Sequence, residues 1–115
     1  MKYFQLALIA VFQLVAVSVF AHEKVDSFKV SGNCGMCKHR IEKAARISGV
    51  KEVEWNDETK IMQVTFNADV VSLEDIQRKV ASVGHDTDKF RADDAVYKKL
   101  PGCCRYERKS VETKG

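Results

Sequence analysis

Two cysteine pairs dominate the chemistry available to this chain. Cys34 and Cys37 stand two residues apart in "SGNCGMCKHR", and Cys103 and Cys104 are neighbours in "PGCCRYERKS". A Cys-x-x-Cys stretch suits a soft-metal clip, a dithiol–disulfide couple or half of a zinc site. Four is an even number, so two structural disulfides are the plainer reading. The spacing argues against it, because Cys34 and Cys37 close too short a loop to restrict the unfolded chain much. A bond between adjacent Cys103 and Cys104 would be strained. A bond from one pair to the other stays open. The histidines are His22, His39 and His85.

The elements that must hold these side chains follow from periodicity. "VDSFKV" alternates Phe28 and Val30 against Lys29, as a strand does, and Ser31–Gly32 ends it. From Cys37 the period becomes helical, with Ile41, Ala44, Ala45 and Ser48 on one stripe and Gly49 as the stop. "VKEVEW", the turn "NDET" and "KIMQVTF" form a hairpin that turns Val53, Trp55, Met62, Val64 and Phe66 inward. "SLEDIQRKVASVG" is a helix capped by Ser72 with Asp75, striped by Leu73, Ile76, Val80 and Val83, and ended by Gly84. "HDTDKF" reads as a charged edge strand.

This order is the split β-α-β-β-α-β motif, an α+β ferredoxin-like sandwich. It predicts a four-stranded antiparallel sheet with two helices on one face. A short helical extension follows in "DDAVYKKLPG", where Asp93 and Asp94 suit the first turn and Lys98 and Lys99 the last. Val96 and Leu100 could pack that extension on the domain. The end of "CCRYERKSVETKG" is polar and expected to fray.

The first 21 residues stand apart. Lys2 precedes an apolar run from Leu6 to Phe20, and Val19 and Ala21 give the small residues that signal peptidase needs. This predicts a secretory signal over residues 1–21, a domain over 22–91 and an extension over 92–115 carrying the Cys-Cys pair. The expected location is periplasmic or secreted, with contact to a membrane only through the signal segment if it is not cleaved. The chain has 115 residues, with 19 Lys and Arg against 16 Asp and Glu. That weak excess, spread along the chain, gives no basis for nucleic-acid binding.

The topology places Cys34 and Cys37 between the first strand and the first helix, with Cys37 in the opening turn. Free N–H groups and the positive helix end favour thiolates there, and Lys38, His39 and Arg40 add charge. With "GNCGMC" at this junction, the chain resembles the heavy-metal-associated domain family from about Val25 to Phe90. That family includes copper chaperones, the N-terminal modules of metal-transporting ATPases and the periplasmic mercury-binding protein. The resemblance implies a non-enzymatic protein in which Cys34 and Cys37 bind one soft ion in linear or trigonal geometry. It would then pass the ion to a metal-transporting ATPase or another donor or acceptor by thiolate exchange. Copper(I) is the foremost cargo, with mercury(II) or zinc(II) as alternatives, since thiolates select soft ions.

One departure is plain. The family usually has a buried methionine two residues before the first cysteine, where this chain has Gly32, so a looser loop is expected. Met36 is expected on the loop surface. His85 holds the position after the second helix that tunes the site in the family, and a histidine there is similar to cyanobacterial copper chaperones. It enters as a further metal ligand or modulator, while His22 and His39 are expected in solvent. Cys103 and Cys104 are candidate ligands of a different kind. A strand of five or six residues covers roughly 17–20 Å, and a returning helix of about eight residues recovers roughly 12 Å. If the extension folds back, the pair could complete the site, receive the metal or form a disulfide.

Rival readings are a thioredoxin-like thiol-disulfide oxidoreductase, a structural zinc module and a metal-sensing interaction module. Against the first, Asn33 stands where an aromatic would be expected, and Pro101 is the one proline of the chain. Against the second, a complete apolar core lies between the two cysteine pairs.

Overall fold

The computed structural model describes residues 22–108. The expected signal segment and the polar end from residue 109 lie outside the described residues. Three strands, β1 (Glu23–Lys29), β2 (Val50–Trp55) and β3 (Ile61–Asn67), form an antiparallel sheet in the order β1-β3-β2. Helix α1 (Gly35–Ala45) joins β1 to β2, and α2 (Leu73–Ser82) follows β3. Among the described residues, α3 (Asp94–Lys98) and a 3₁₀ turn (Gly102–Cys104) come after α2. This is the ferredoxin-like sandwich.

Alternation sets the buried face of the sheet. Phe28 pairs with Met62, and Met62 pairs in turn with Trp55 on the far side. Asp26 and Val53 flank Val64 in the same way. Against this face pack Cys37, Ile41 and Ala45 of α1 and Ile76 and Val80 of α2, all buried. Helix α2 begins with the expected capping box, in which Asp75 N–H donates to Ser72 Oγ and Ser72 N–H to Asp75 Oδ2. Val83, expected in the core, is only half-buried at the end of α2, since Gly84 (φ +111°) turns the chain there. Helix α1 ends at Ala45, short of the expected Ser48, because the Arg46 N–H bonds to the Lys43 carbonyl and leaves the helical ladder.

The expected fourth strand is reduced to one antiparallel bridge between Val30 and Thr87. Side chains take the backbone groups that a ladder would use. Asp88 Oδ2 accepts from Lys29 N–H at 2.9 Å, and Gln77 Oε1 accepts from Lys89 N–H at 3.2 Å. A turn then closes from Thr87 N–H to the Phe90 carbonyl. The segment still runs beside β1, since Ser31 N–H donates to the Asp86 carbonyl at 2.9 Å. His85 is thereby brought to the end of the sandwich where β1 gives way to α1.

Candidate metal centre

The loop between β1 and α1 rests on an indole. Trp55 is 1% exposed, and its Nε1–H donates to the Val30 carbonyl at 3.1 Å. A Cβ on Gly32 would lie 3.0 Å from the indole Cη2 and 3.2 Å from Cys37 Cβ. The ring thus fills the space beneath the loop, where a looser loop was expected. Glycine at position 32 is the residue this packing admits.

Cys34 occupies the N-cap of α1 in extended conformation, and Cys37 lies in the first turn, fully buried. Their sulfurs are 3.8 Å apart. The backbone N–H of Cys37, with help from Met36, faces the Cys34 sulfur and lowers its pKa to about 7 despite some desolvation. No hydrogen bond of ordinary cap geometry forms there. Burial acts oppositely on Cys37 and raises it to about 11, although Asn33 N–H donates to its sulfur at 3.4 Å. One sulfur is ready to attack or bind near neutral pH, and the other is held as a thiol.

The extension supplies a third sulfur. Leu100 packs on Gly84, where a Cβ would meet its side chain at 3.0 Å. The Tyr106 hydroxyl donates to the Gly84 carbonyl at 2.7 Å and accepts from Asp86 N–H at 2.9 Å. Between these anchors the 3₁₀ turn closes with Cys104 N–H donating to the Pro101 carbonyl. Cys104 is fully buried, with its sulfur 4.0 Å from that of Cys34. The Cys34, Cys37 and Cys104 sulfurs all lie within 4.8 Å of one another. Around an ion with bonds of about 2.3 Å, sulfurs sit about 4.0 Å apart in a trigonal plane and about 4.6 Å apart on a line. The triangle therefore matches three-coordinate geometry with little movement. Arg40 Nη1 donates to Cys104 Sγ at 3.3 Å, so a guanidinium offsets the negative charge that three thiolates would gather.

Cys103 turns the other way and is exposed. Its carbonyl faces Asn33 Nδ2 at 3.4 Å and Cys34 Sγ at 3.7 Å, which fixes the backbone against the loop. His85 is 0% exposed, with Nδ1 2.8 Å from the Ser31 carbonyl and Nε2 lacking a hydrogen-bond partner. Burial lowers its pKa, so the imidazole is neutral with the proton on Nδ1. Tyr106 stacks on it at 5.6 Å between centroids. His85 stands outside the sulfur triangle, and its Nδ1 contact with the Ser31 carbonyl places it beside the metal loop. His39 is exposed, and His22 pairs at the surface with Asp69 at 2.6 Å.

Three residues here hold roles that the sequence did not convey. Trp55 was assigned to the core and not to the floor of the loop, and Tyr106 was passed over in a polar tail. Lys38 was expected to add positive charge beside the thiolates. Instead its ammonium donates to Glu42 (2.7 Å), Glu54 (2.8 Å) and the Trp55 carbonyl (2.9 Å), and so ties α1 to β2.

An antiparallel ferredoxin-like sandwich with two cysteines at the mouth of its first helix defines a class of small soft-metal-binding modules. The family model for the heavy-metal-associated domain matches residues 27–86, just over half of the chain, and the protein belongs to that family. Among solved structures it is similar to the CopZ metallochaperone, at 26% identity and TM-score 0.54, over 56% of this chain and 98% of that one. It is also similar to oxidized MerP from Ralstonia metallidurans CH34, at 25% identity and TM-score 0.54, over 57% and 94%. A third is the Cu(I)-loaded N-terminal domain of a potential copper-translocating P-type ATPase from Bacillus subtilis. It shares 27% identity at TM-score 0.54 over 56% and 84% of the two chains. No curated protein sequence matches the chain. The protein is a soft-metal-binding protein with a cysteine pair. Its sandwich leaves the thioredoxin-like alternative without its fold.

Proposed function

We propose that the protein is an exported, non-enzymatic carrier that holds one copper(I) ion between Cys34, Cys37 and Cys104 and yields it to a partner by thiolate exchange. The observation that carries this reading is the sulfur triangle, with all three sulfurs within 4.8 Å of one another. Copper(I) accepts three thiolates in a plane, whereas a structural zinc site calls for a fourth ligand. Exchange proceeds one bond at a time. An incoming thiolate displaces one of the chain's sulfurs, which takes up a proton, and no electron changes hands. Cys34 is the half-exposed sulfur of the three, so it is the one a partner reaches first. His85, neutral and fixed to Ser31, modulates the centre from beside it.

The carrier reading draws on the similarity to the CopZ metallochaperone and to the copper-loaded ATPase domain, which makes a metal-transporting ATPase the natural recipient. Competition against a copper(I)-selective chelator under reduction tests it. Cys34→Ser/Cys37→Ser should lose tight binding while keeping the far-ultraviolet circular dichroism of the parent. Cys104→Ser should bind more weakly by roughly tenfold or more, and X-ray absorption should count three sulfur neighbours in the parent and two in that variant. A double variant that binds as tightly as the parent would overturn the assignment.

A further inference from the structure

Outside the triangle lies a second pair of sulfurs. Met36 is 54% exposed, although it is a large apolar side chain at the metal loop. Its Sδ lies 3.6 Å from Cys103 Sγ, and Cys103 Sγ is in turn 3.9 Å from Cys104 Sγ. Continuing inward, Cys104 is 4.0 Å from Cys34, and Cys34 is 3.8 Å from Cys37. Soft donors therefore run without a gap from the exposed face to the buried centre. The two outer sulfurs sit on different elements separated by 67 residues, and the backbone of Cys103 is held to the loop through its carbonyl.

The geometry points to a second, surface site in which Met36 and Cys103 bind a soft monovalent ion and relay it to the inner three-sulfur centre. This deepens the carrier reading and rests on it for the destination of the ion. Linear coordination needs sulfurs about 4.6 Å apart, and the flexible, exposed methionine can swing out by that difference. A neutral thioether paired with one thiolate leaves a monovalent ion uncharged overall. A divalent ion would keep a positive charge there, so the pair favours copper(I) or silver(I) over zinc. In the relay, Cys104 gives up its thiol proton as it binds the arriving ion. The Cys103 thiolate then takes up a proton as it lets go, with no change of oxidation state.

Silver(I), which shares the closed shell of copper(I) and does not undergo redox cycling, is the probe. The reduced protein is titrated while the methionine methyl signals are followed by NMR, with Met36→Leu identifying the Met36 resonance. Met62 is buried in the core and serves as a silent reference. The first equivalent should leave the Met36 methyl in place, and the second should shift it. Since even an outer-shell partner is worth roughly tenfold in metal affinity, Met36→Leu and Cys103→Ser should each weaken the second step by at least that much. Both residues are exposed, so neither substitution threatens the fold. A tight step with no weaker step after it, movement of Met36 with that tight step, or an unaltered weaker step in both variants would overturn the surface site. Loss of the first, tight step in the parent would instead refute the carrier reading, while a Met36 shift at a single weak step would still report the surface site.

Discussion

Two thiols separated by a few ångströms differ here because one faces amide groups and the other faces hydrocarbon. Cys34 lies over the opening N–H groups of α1, and Cys37 is sunk against Ile41 and Trp55 in the core. The first environment stabilises an anion and the second penalises it. Binding a soft cation removes the penalty, because the metal replaces the proton on Cys37. The asymmetry has a direct readout in the reduced, metal-free protein. The reactive fraction of Cys34 should rise with pH through a midpoint near 7, the value the helix amides impose. Cys37, pushed up to about 11, should stay unmodified over the neutral range. Iodoacetamide labelling followed by peptide mass spectrometry between pH 5 and 9 checks both. Labelling of Cys37 ahead of Cys34 would contradict this assignment of environments.

At the level of the elements, strand β2 takes part in the metal loop. Its Trp55 occupies the space that a side chain at position 32 would enter. Putting methionine there without making room should strain the loop. Gly32→Met is expected to cost about 1–3 kcal/mol in denaturant unfolding. The double variant Gly32→Met/Trp55→Leu should recover part of that loss, a coupling between residues in contact. Additive losses would mean that the two do not share one space. This exchange also shows what the sequence could convey. The strands and helices were legible because Phe28, Val53, Met62 and Val64 follow the strand period and Ile41, Ile76 and Val80 the helical one. The place of Cys34 and Cys37 at the first strand–helix junction then followed from topology. The floor of the loop was not legible, because Trp55 reaches position 32 across 23 positions of sequence and no local pattern encodes that meeting. The last strand was overread for the opposite reason. Asp88 and Gln77 satisfy backbone donors that a period-two pattern assigns to a ladder. The third sulfur was open in the sequence because Cys104 reaches the centre only if the extension docks.

That docking belongs to the whole molecule, and it depends on one cation near the end of the described chain. Arg108 donates to both carboxylate oxygens of Asp86, at 3.0 and 2.8 Å, to Asp94 at 2.9 Å and to the Ala92 carbonyl at 2.6 Å. Its guanidinium also lies over the Tyr97 ring at 4.3 Å. Asp86 stands next to His85, so the same residue joins the extension, the bridge segment and the rim of the metal centre. Burial by itself would raise the Asp86 carboxyl, but Arg108 and the Ala92 N–H more than reverse it and hold it below the usual carboxylate range. A carboxyl lowered by folding adds stability above its unfolded value of about 3.9 and loses it as pH falls through the folded value. The extension should therefore remain docked in mild acid and open only in stronger acid. Replacing Arg108 with alanine should open it at neutral pH. Loss of hydrogen bonds to a charged group costs about 1.5–3 kcal/mol, or roughly ten- to a hundredfold in the opening equilibrium. Hydrogen exchange reads that change at the Asp86 amide, which donates to the Tyr106 hydroxyl, and at the Tyr106 amide, which donates to the Cys104 carbonyl. Both should exchange faster in Arg108→Ala, while β3 amides keep their protection. Copper(I) affinity should fall toward that of Cys104→Ser, by no more than the change in the opening equilibrium, since an undocked extension carries the third sulfur away. Arg108→Ala with faster exchange and undiminished affinity would show that Cys104 is not needed to hold the ion.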